Sequence, residues 1–383
     1  MAATITITPV RTTAVPWPVW CSVAAVTSAM IGVHWDISWH QSIGRDTFWT
    51  PAHLAIHLCG VLAGTACAWL ILSTTFARES PLRAASVRIW GFRGPLGAFV
   101  AAWGGIAMIT SAPFDNWWHN AYGLDVKILS PPHMLLAAGI GGVEVGAAIL
   151  ILGYMNRAPE WQRGRFLALY LYIGGMLLIT AMVLEMELTS RVVMHTAYFY
   201  RVVATAAPVM FAVVARASRY RWAATAIAAI YTVFVALLGW ILPLFPAEPK
   251  LGPVLSPVTH FTPPAFPLLL IVPAFALDLL WQRTQSWNAW LGSLVSAVVF
   301  VATFAAAQWP FAVFLNSPAA RNAVFHTMDF GYNVNPLSRF ARFQFAPESA
   351  ADFRNNAALA LVIAFIAIRF GLAYGDRLRR IRR

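Results

Sequence analysis

The chain has 383 residues, 59% of them hydrophobic and only 11% charged, with a formal net charge of +12. So apolar a composition excludes a soluble domain of this length and points to a polytopic membrane protein. The positive charge does not point to nucleic acid, because it falls in short runs between apolar stretches.

Crossing a bilayer takes about 20 apolar residues. Ten stretches reach that length: 16–35, 52–76, 92–112, 132–154, 166–188, 192–215, 222–244, 262–281, 288–312 and 356–375. The expected fold is all-α, a polytopic membrane bundle of about ten transmembrane helices. Residues 1–15 are Thr-rich and lack a cleavage site after a short apolar core, so they read as an N-terminal cytoplasmic segment and not as a signal peptide. Residues 16–155 form a membrane region with a duplicated motif. Residues 156–375 form a second membrane region with one long connection at 313–355, and residues 376–383 form a basic tail. Cys21, Cys59 and Cys67 lie inside expected spans without CxxC spacing and read as small core residues.

Arg78, Arg83, Arg88 and Arg93 follow the second span, and Arg157, Arg163 and Arg165 the fourth. Arg216, Arg219 and Arg221 follow the sixth, Arg283 the eighth, and Arg377, Arg379, Arg380, Arg382 and Arg383 close the chain. These sixteen of 27 basic residues fall on one side of a ten-span path. The positive-inside rule makes that side, and both termini, cytoplasmic. The expected location is a bacterial inner membrane, multi-pass, with the tail against anionic lipid. The other connections then face the periplasm, and all nine His lie at or near that face.

Within that set one pattern occurs twice. The stretch from His34 to His53 holds Asp36, His40, Asp46 and His53, and a second stretch holds Asp115, His119, Asp125 and His133. In both, His follows Asp by four, Gly follows that His by four, and a second Asp follows it by six; thirteen residues then separate His40 from His53, and fourteen His119 from His133. A spacing of four puts Asp36 with His40, and Asp115 with His119, on one helix face if the spans extend that far. His53 and His57 are also four apart.

One carboxylate and two imidazoles, from the end of one helix and the start of the next, make a three-ligand metal site with positions left open for chemistry. Imidazole suits copper, zinc and iron, so ligand type alone does not choose the metal. Asp46 and Asp125 are placed to orient the ligating His or move protons. Glu144 lies eleven residues beyond His133 on one face of the fourth span, about 16 Å deeper, and is a third candidate for proton transfer. Glu185, Glu187, Arg191, His195 and Arg201 gather at the turn between spans five and six, either as an ion-pair network or as part of the site. The 313–355 connection carries Arg321, His326, Asp329, Arg339 and Arg342 among several Phe and reads as a lid or partner surface. No phosphate loop, HExxH or Ser-His-Asp arrangement stands out.

The run Asp36-x-x-Trp-His40-Gln-x-x-x-Arg45-Asp46-Thr47-x-x-Thr50-Pro51-x-His53 resembles the C subunit of the copper membrane monooxygenases, the particulate methane and ammonia monooxygenases. The resemblance covers roughly residues 16–155. It implies that Asp36, His40 and His53 bind copper. It also implies that Asp115, His119 and His133 form a second set, where the family carries Asn in place of Asp115 and so one negative charge fewer. It further implies oxidation of a small apolar substrate with O₂, partner subunits and trimeric assembly. The second half, with His195, His260 and His326, has no counterpart in it, and the chain lacks the family's soluble cupredoxin-like part. Two other readings use the same residues: a copper transport or cofactor-loading protein without catalysis, and a scaffold whose His/Asp network is structural.

Overall fold

The computed structural model describes residues 15–44, 49–77, 79–80, 82–123, 130–250, 258–327 and 345–382. Among these, ten α-helices follow in chain order: α1 Trp17–Ser42, α2 Pro51–Phe76, α3 Leu96–Tyr122, α4 Pro131–Arg157, α5 Glu160–Leu184, α6 Ala197–Ser218, α7 Ala223–Ile241, α8 Ile271–Arg283, α9 Ala289–Leu315 and α10 Ala350–Leu378. All but α8 are long and apolar enough to cross a membrane. The protein is an all-α polytopic membrane bundle. The one sheet described is a hairpin between α2 and α3, β1 Val87–Ile89 antiparallel to β2 Phe92–Gly94. Trp90 and Gly91, both at positive φ, make its two-residue turn.

Two boundary errors matter. The expected third span, 92–112, stops too early, because α3 begins at Leu96 and runs to Tyr122. Likewise α1 continues to Ser42, seven residues beyond the expected end. Hydropathy marks only the lipid-matched core of a helix. The polar last turns that carry Asp36, His40, Asp115 and His119 are helical but fall outside such a window. At the other end of the chain α10 reaches Leu378, so the tail starts later than position 376.

The eighth span is corrected more deeply: only Ile271–Arg283 is helical, and residues 261–270 before it are irregular. Pro263, Pro264 and Pro267 forbid helix there. They also remove three N–H groups that a buried irregular segment would have to satisfy. Three of the donors that remain find side chains on neighbouring helices. Thr262 N–H donates to Ser42 Oγ at 2.7 Å, Leu268 N–H to Tyr231 Oη at 2.9 Å, and Leu269 N–H to Gln308 Oε1 at 2.9 Å. His326 Nδ1 lies 3.0 Å from the Pro264 carbonyl and donates to it.

That His326 contact gives a pH-dependent prediction. The ring packs where Gly239 has no side chain, a built Cβ there lying 1.8 Å from His326 Cε1, and it meets Phe266 and Trp240 edge-on. Burial pushes its pKa down from 6.5 to about 4. A lowered folded-state value means that the open form binds the proton more readily. Stability is therefore intact above pH 6.5 and is lost as pH falls toward 4, by about 3 kcal/mol over that window. Melting of the detergent-solubilised protein should be steeper in pH between 6.5 and 4 for the parent than for His326→Gln. Equal slopes would refute it.

The large apolar core runs through α1 to α10. Tight contacts bind α3 to α4 and α6 to α10. The last residues fold back on the first half: Asn156 Nδ2 donates to the carbonyls of Arg379 and Ile381, and Arg157 donates to that of Arg382. Arg216 and Arg379 share Asp376 at 3.1 and 3.2 Å. Arg157, Arg216, Arg379 and Arg382 thus gather at one end of the bundle. The Asp/His pairs stand at the other.

Candidate metal centre

Two helix ends and two helix starts build the site. On the start side, Thr50 precedes α2, its hydroxyl accepts from the backbone N–H of His53 at 3.2 Å, and Pro51 opens the helix. Ser130 and Pro131 open α4 with the same residue types, although the Ser130 hydroxyl makes no capping hydrogen bond. His53 and His133 are each the third residue of their helix. On the end side, Asp36 with His40 and Asp115 with His119 occupy the last turns of α1 and α3, each pair one turn apart. The repeated spacing therefore reflects a repeated helix-loop-helix corner.

In the first corner Asp36 Oδ2 lies 3.4 Å from His40 Nε2, and Oδ1 lies 3.1 Å from His53 Nε2. In the second, Asp115 Oδ2 lies 3.3 Å from His119 Nε2, and Oδ1 lies 3.6 Å from His133 Nε2. In each triad one donor atom per residue falls within 4.8 Å of the others. Ligands about 2.1 Å from a four-coordinate ion stand about 3.0–3.6 Å apart, the range of the four Asp–His contacts here. Asp36 Oδ1, Asp115 Oδ1 and His40 Nδ1 are shielded from solvent without a well-angled hydrogen bond, so the carboxylates are under-satisfied by protein alone. Both groups could hold a metal ion, and their chemistry fits copper, zinc or iron.

The two corners also meet. One cleft of about 350 Å³, its mouth included, is lined by Asp36, His53, Ile56 and His57 on one side and by Ser111, Asp115, Pro132 and His133 on the other. The sequence shows two sites but not that they face one cleft, because the approach of α2 to α3 is tertiary. His57, four residues after His53, has no role assigned by the sequence; it lines this cleft within electrostatic reach of both Asp36 and Asp115. Its spacing from His53 was the available signal.

The remaining candidates separate. Asp46 and Asp125, with Arg45, lie outside the described residues, as do Asp329, Arg339 and Arg342. Glu144 is fully buried and does not line the cleft. His34 is buried with Nδ1 2.8 Å from the Met30 carbonyl. His195 is stacked between Trp309 and Phe345, with Nε2 2.9 Å from the Trp309 carbonyl. The residues around 185–201 take separate partners: Glu185 Oε1 accepts from Thr205, and Arg201 lies over the Tyr198 ring at 4.8 Å.

The second half has a task that the sequence did not show. Ser38 and Ser42 alternate with Asp36 and His40 on α1 and face the irregular segment before α8. Ser38 Oγ donates to the Thr262 carbonyl at 2.5 Å, and Ser42 Oγ lies 3.1 Å from Thr262 Oγ1. Ile43 and Phe261 join Leu238, Leu242 and Ala247 in a small second core, with Trp35 and Trp39 against it. The end of α1 is thus clamped from behind while its acid and imidazole face α2. Ser42→Ala leaves the Thr262 N–H buried without a partner, at a cost of about 1–3 kcal/mol. The expected result is about tenfold weaker metal binding at the first triad and unchanged binding at the second. Equal weakening of both, or of neither, would refute the clamp.

No family model, curated protein or solved structure matches this chain.

Proposed function

We propose that the protein is a copper-binding integral membrane oxygenase, or a subunit of one, acting on a small apolar substrate with O₂. The observation that carries the reading is the convergence of two carboxylate-bis-imidazole triads on one cleft, with donor spacings that suit a metal ion. The resemblance to the copper membrane monooxygenase C subunit, quoted above on its residues, chooses copper among the metals the ligands fit. Copper bound there would supply the redox chemistry for O₂.

The chain's own residues do the rest. Asp36 and Asp115 each put one negative charge between two neutral imidazoles, balancing part of a bound cation's charge. Ile56, Ala112 and Leu136 give the cleft apolar walls on which a small hydrocarbon can pack. His57 stands between the triads, placed to hold a proton near both acids. Leu54 and Leu58, on the turns of α2 that carry His53 and His57, are exposed toward lipid, the phase in which an apolar substrate concentrates. On this reading the triads sit toward the periplasmic side of a bacterial inner membrane, and partner subunits or a homotrimer complete the assembly.

The test is metal analysis with electron paramagnetic resonance on the purified protein, then oxygen uptake with a reductant and short hydrocarbons. Copper with imidazole hyperfine structure and hydrocarbon-dependent uptake supports an oxygenase. Copper without uptake supports the second reading, copper transport or cofactor loading. Full metal content in both His40→Ala and His119→Ala rejects the site.

A further inference from the structure

Deeper in the bundle, a carboxylate and a thioether meet on one hydroxyl. Glu144 of α4 is fully buried. Its Oε1 accepts from Thr180 Oγ1 of α5 at 2.7 Å, while its shielded Oε2 has no hydrogen-bond partner. The same Thr180 hydroxyl lies 3.1 Å from Sδ of Met30 on α1. One hydroxyl proton cannot serve both, so a further donor atom is left over. Cys59 of α2 is a fully buried free thiol within electrostatic reach of Glu144.

The helix seams put these groups at one depth. A Cβ on Gly104 of α3 would lie 2.5 Å from Val143 N, and one on Gly60 would lie 3.3 Å from the Gly105 carbonyl. The Cys59–Gly60 and Val143–Glu144 pairs therefore flank the same turn of α3. Met30 is six residues below Asp36 on α1, about 9 Å deeper.

An ionised carboxyl at such a depth costs several kcal/mol unless a bound cation neutralises it, and without one it holds a proton. Among the described residues no basic side chain pairs with Glu144. One positive charge would balance it. A thioether sulfur that shares a hydroxyl with the carboxylate, and a thiol on the neighbouring helix at the same depth, favour a soft ion over sodium, magnesium or calcium.

We infer that Met30, Cys59 and Glu144 form a binding site for one soft monovalent metal ion, Cu(I) or its analogue Ag(I), inside the bundle beneath the cleft. The site does not require the Asp/His/His triads to be loaded, so it stands or falls apart from the function proposed above. It also gives the copper-handling reading an inner station that hydropathy did not reveal.

The experiment loads the full-length protein with Ag(I), in the parent and in a His40→Ala/His119→Ala background that disables both triads. The expected result is one Ag(I) per chain retained in the disabled background, with sulfur neighbours in its X-ray absorption spectrum. Met30→Leu, Cys59→Ser and Glu144→Gln should each weaken retention at least tenfold. No retained Ag(I), or nitrogen and oxygen neighbours alone, overturns the site. A second measurement needs no substitution: dicyclohexylcarbodiimide labelling of Glu144, read by peptide mass, should be suppressed by Ag(I). Equal labelling with and without Ag(I) overturns the proposal and shows that the carboxyl holds a proton instead.

Discussion

Asp36→Ala should empty the first triad, lowering its copper affinity by about 10³-fold, roughly 4 kcal/mol. Asp36 is the acid of that triad and lies against both imidazoles, at 3.4 and 3.1 Å. Its side chain is about four-fifths shielded from solvent, so water replaces the lost oxygen poorly. Without it, two neutral imidazoles from different helices must carry a cation with no charge to balance it. Asp36→Asn separates the parts played by charge and shape: it keeps the volume and one oxygen but removes the charge, and should fall between the parent and Ala. Asp115→Ala should do the same at the second triad, where the acid is also flanked by two imidazoles. Because the triads line one cleft, each loss should perturb the spectrum of the remaining ion without removing it. Metal per chain after dialysis against a chelator, with electron paramagnetic resonance of the copper-loaded protein, reads both effects. A full metal complement with an unchanged signal in Asp36→Ala would sink the assignment.

The triads were legible because their information is local. A helical step of four and a Pro-started helix eleven or twelve residues later are short-range patterns, and the polarity of Asp and His stands out in so apolar a chain. The membrane class was legible for the same reason. Two things were not. The shared cleft depends on how α2 meets α3, and no spacing within either helix reports that. The clamp on α1 joins Ser38 and Ser42 to Thr262, more than 200 residues apart, through hydroxyl and backbone groups that look unremarkable in sequence.

The broken eighth span was misread for a different reason. Hydropathy scores side chains, and 262–270 is apolar enough to pass, but Pro263, Pro264 and Pro267 decide the backbone. Such irregular backbone survives in a membrane protein only where other side chains supply partners, as Ser42, Tyr231 and Gln308 do here. Three prolines within five residues were a readable warning. The sulfur atoms beside Glu144 escaped notice because Met30 and Cys59 are ordinary core residues in any apolar helix, and only the helix packing sets them level with the acid.

Gly104→Val should cost at least about 3 kcal/mol and empty the second triad while leaving the first loaded. A side chain at Gly104 meets main chain and not a movable tip: a Cβ would lie 2.5 Å from Val143 N and 2.6 Å from the Gly139 carbonyl. The only relief is separation of α3 from α4. That separation acts directly on the site, because Asp115 and His119 ride on α3 and His133 rides on α4. The 3.3 Å contact within α3 should survive, and the 3.6 Å contact across the seam should open. The first triad spans α1 and α2, outside that seam, so its ion serves as an internal control. Gly141→Ala is the matched control for substitution itself, since nothing lies within 4 Å of its Cβ position, and it should leave melting and metal content unchanged. Thermal melting in detergent and metal per chain distinguish the outcomes. If Gly104→Val melts with the parent and keeps both ions, close packing of α3 on α4 does not hold the second triad together. If it loses both ions equally, the two corners are one cooperative unit, and the cleft between them has to be treated as a single site.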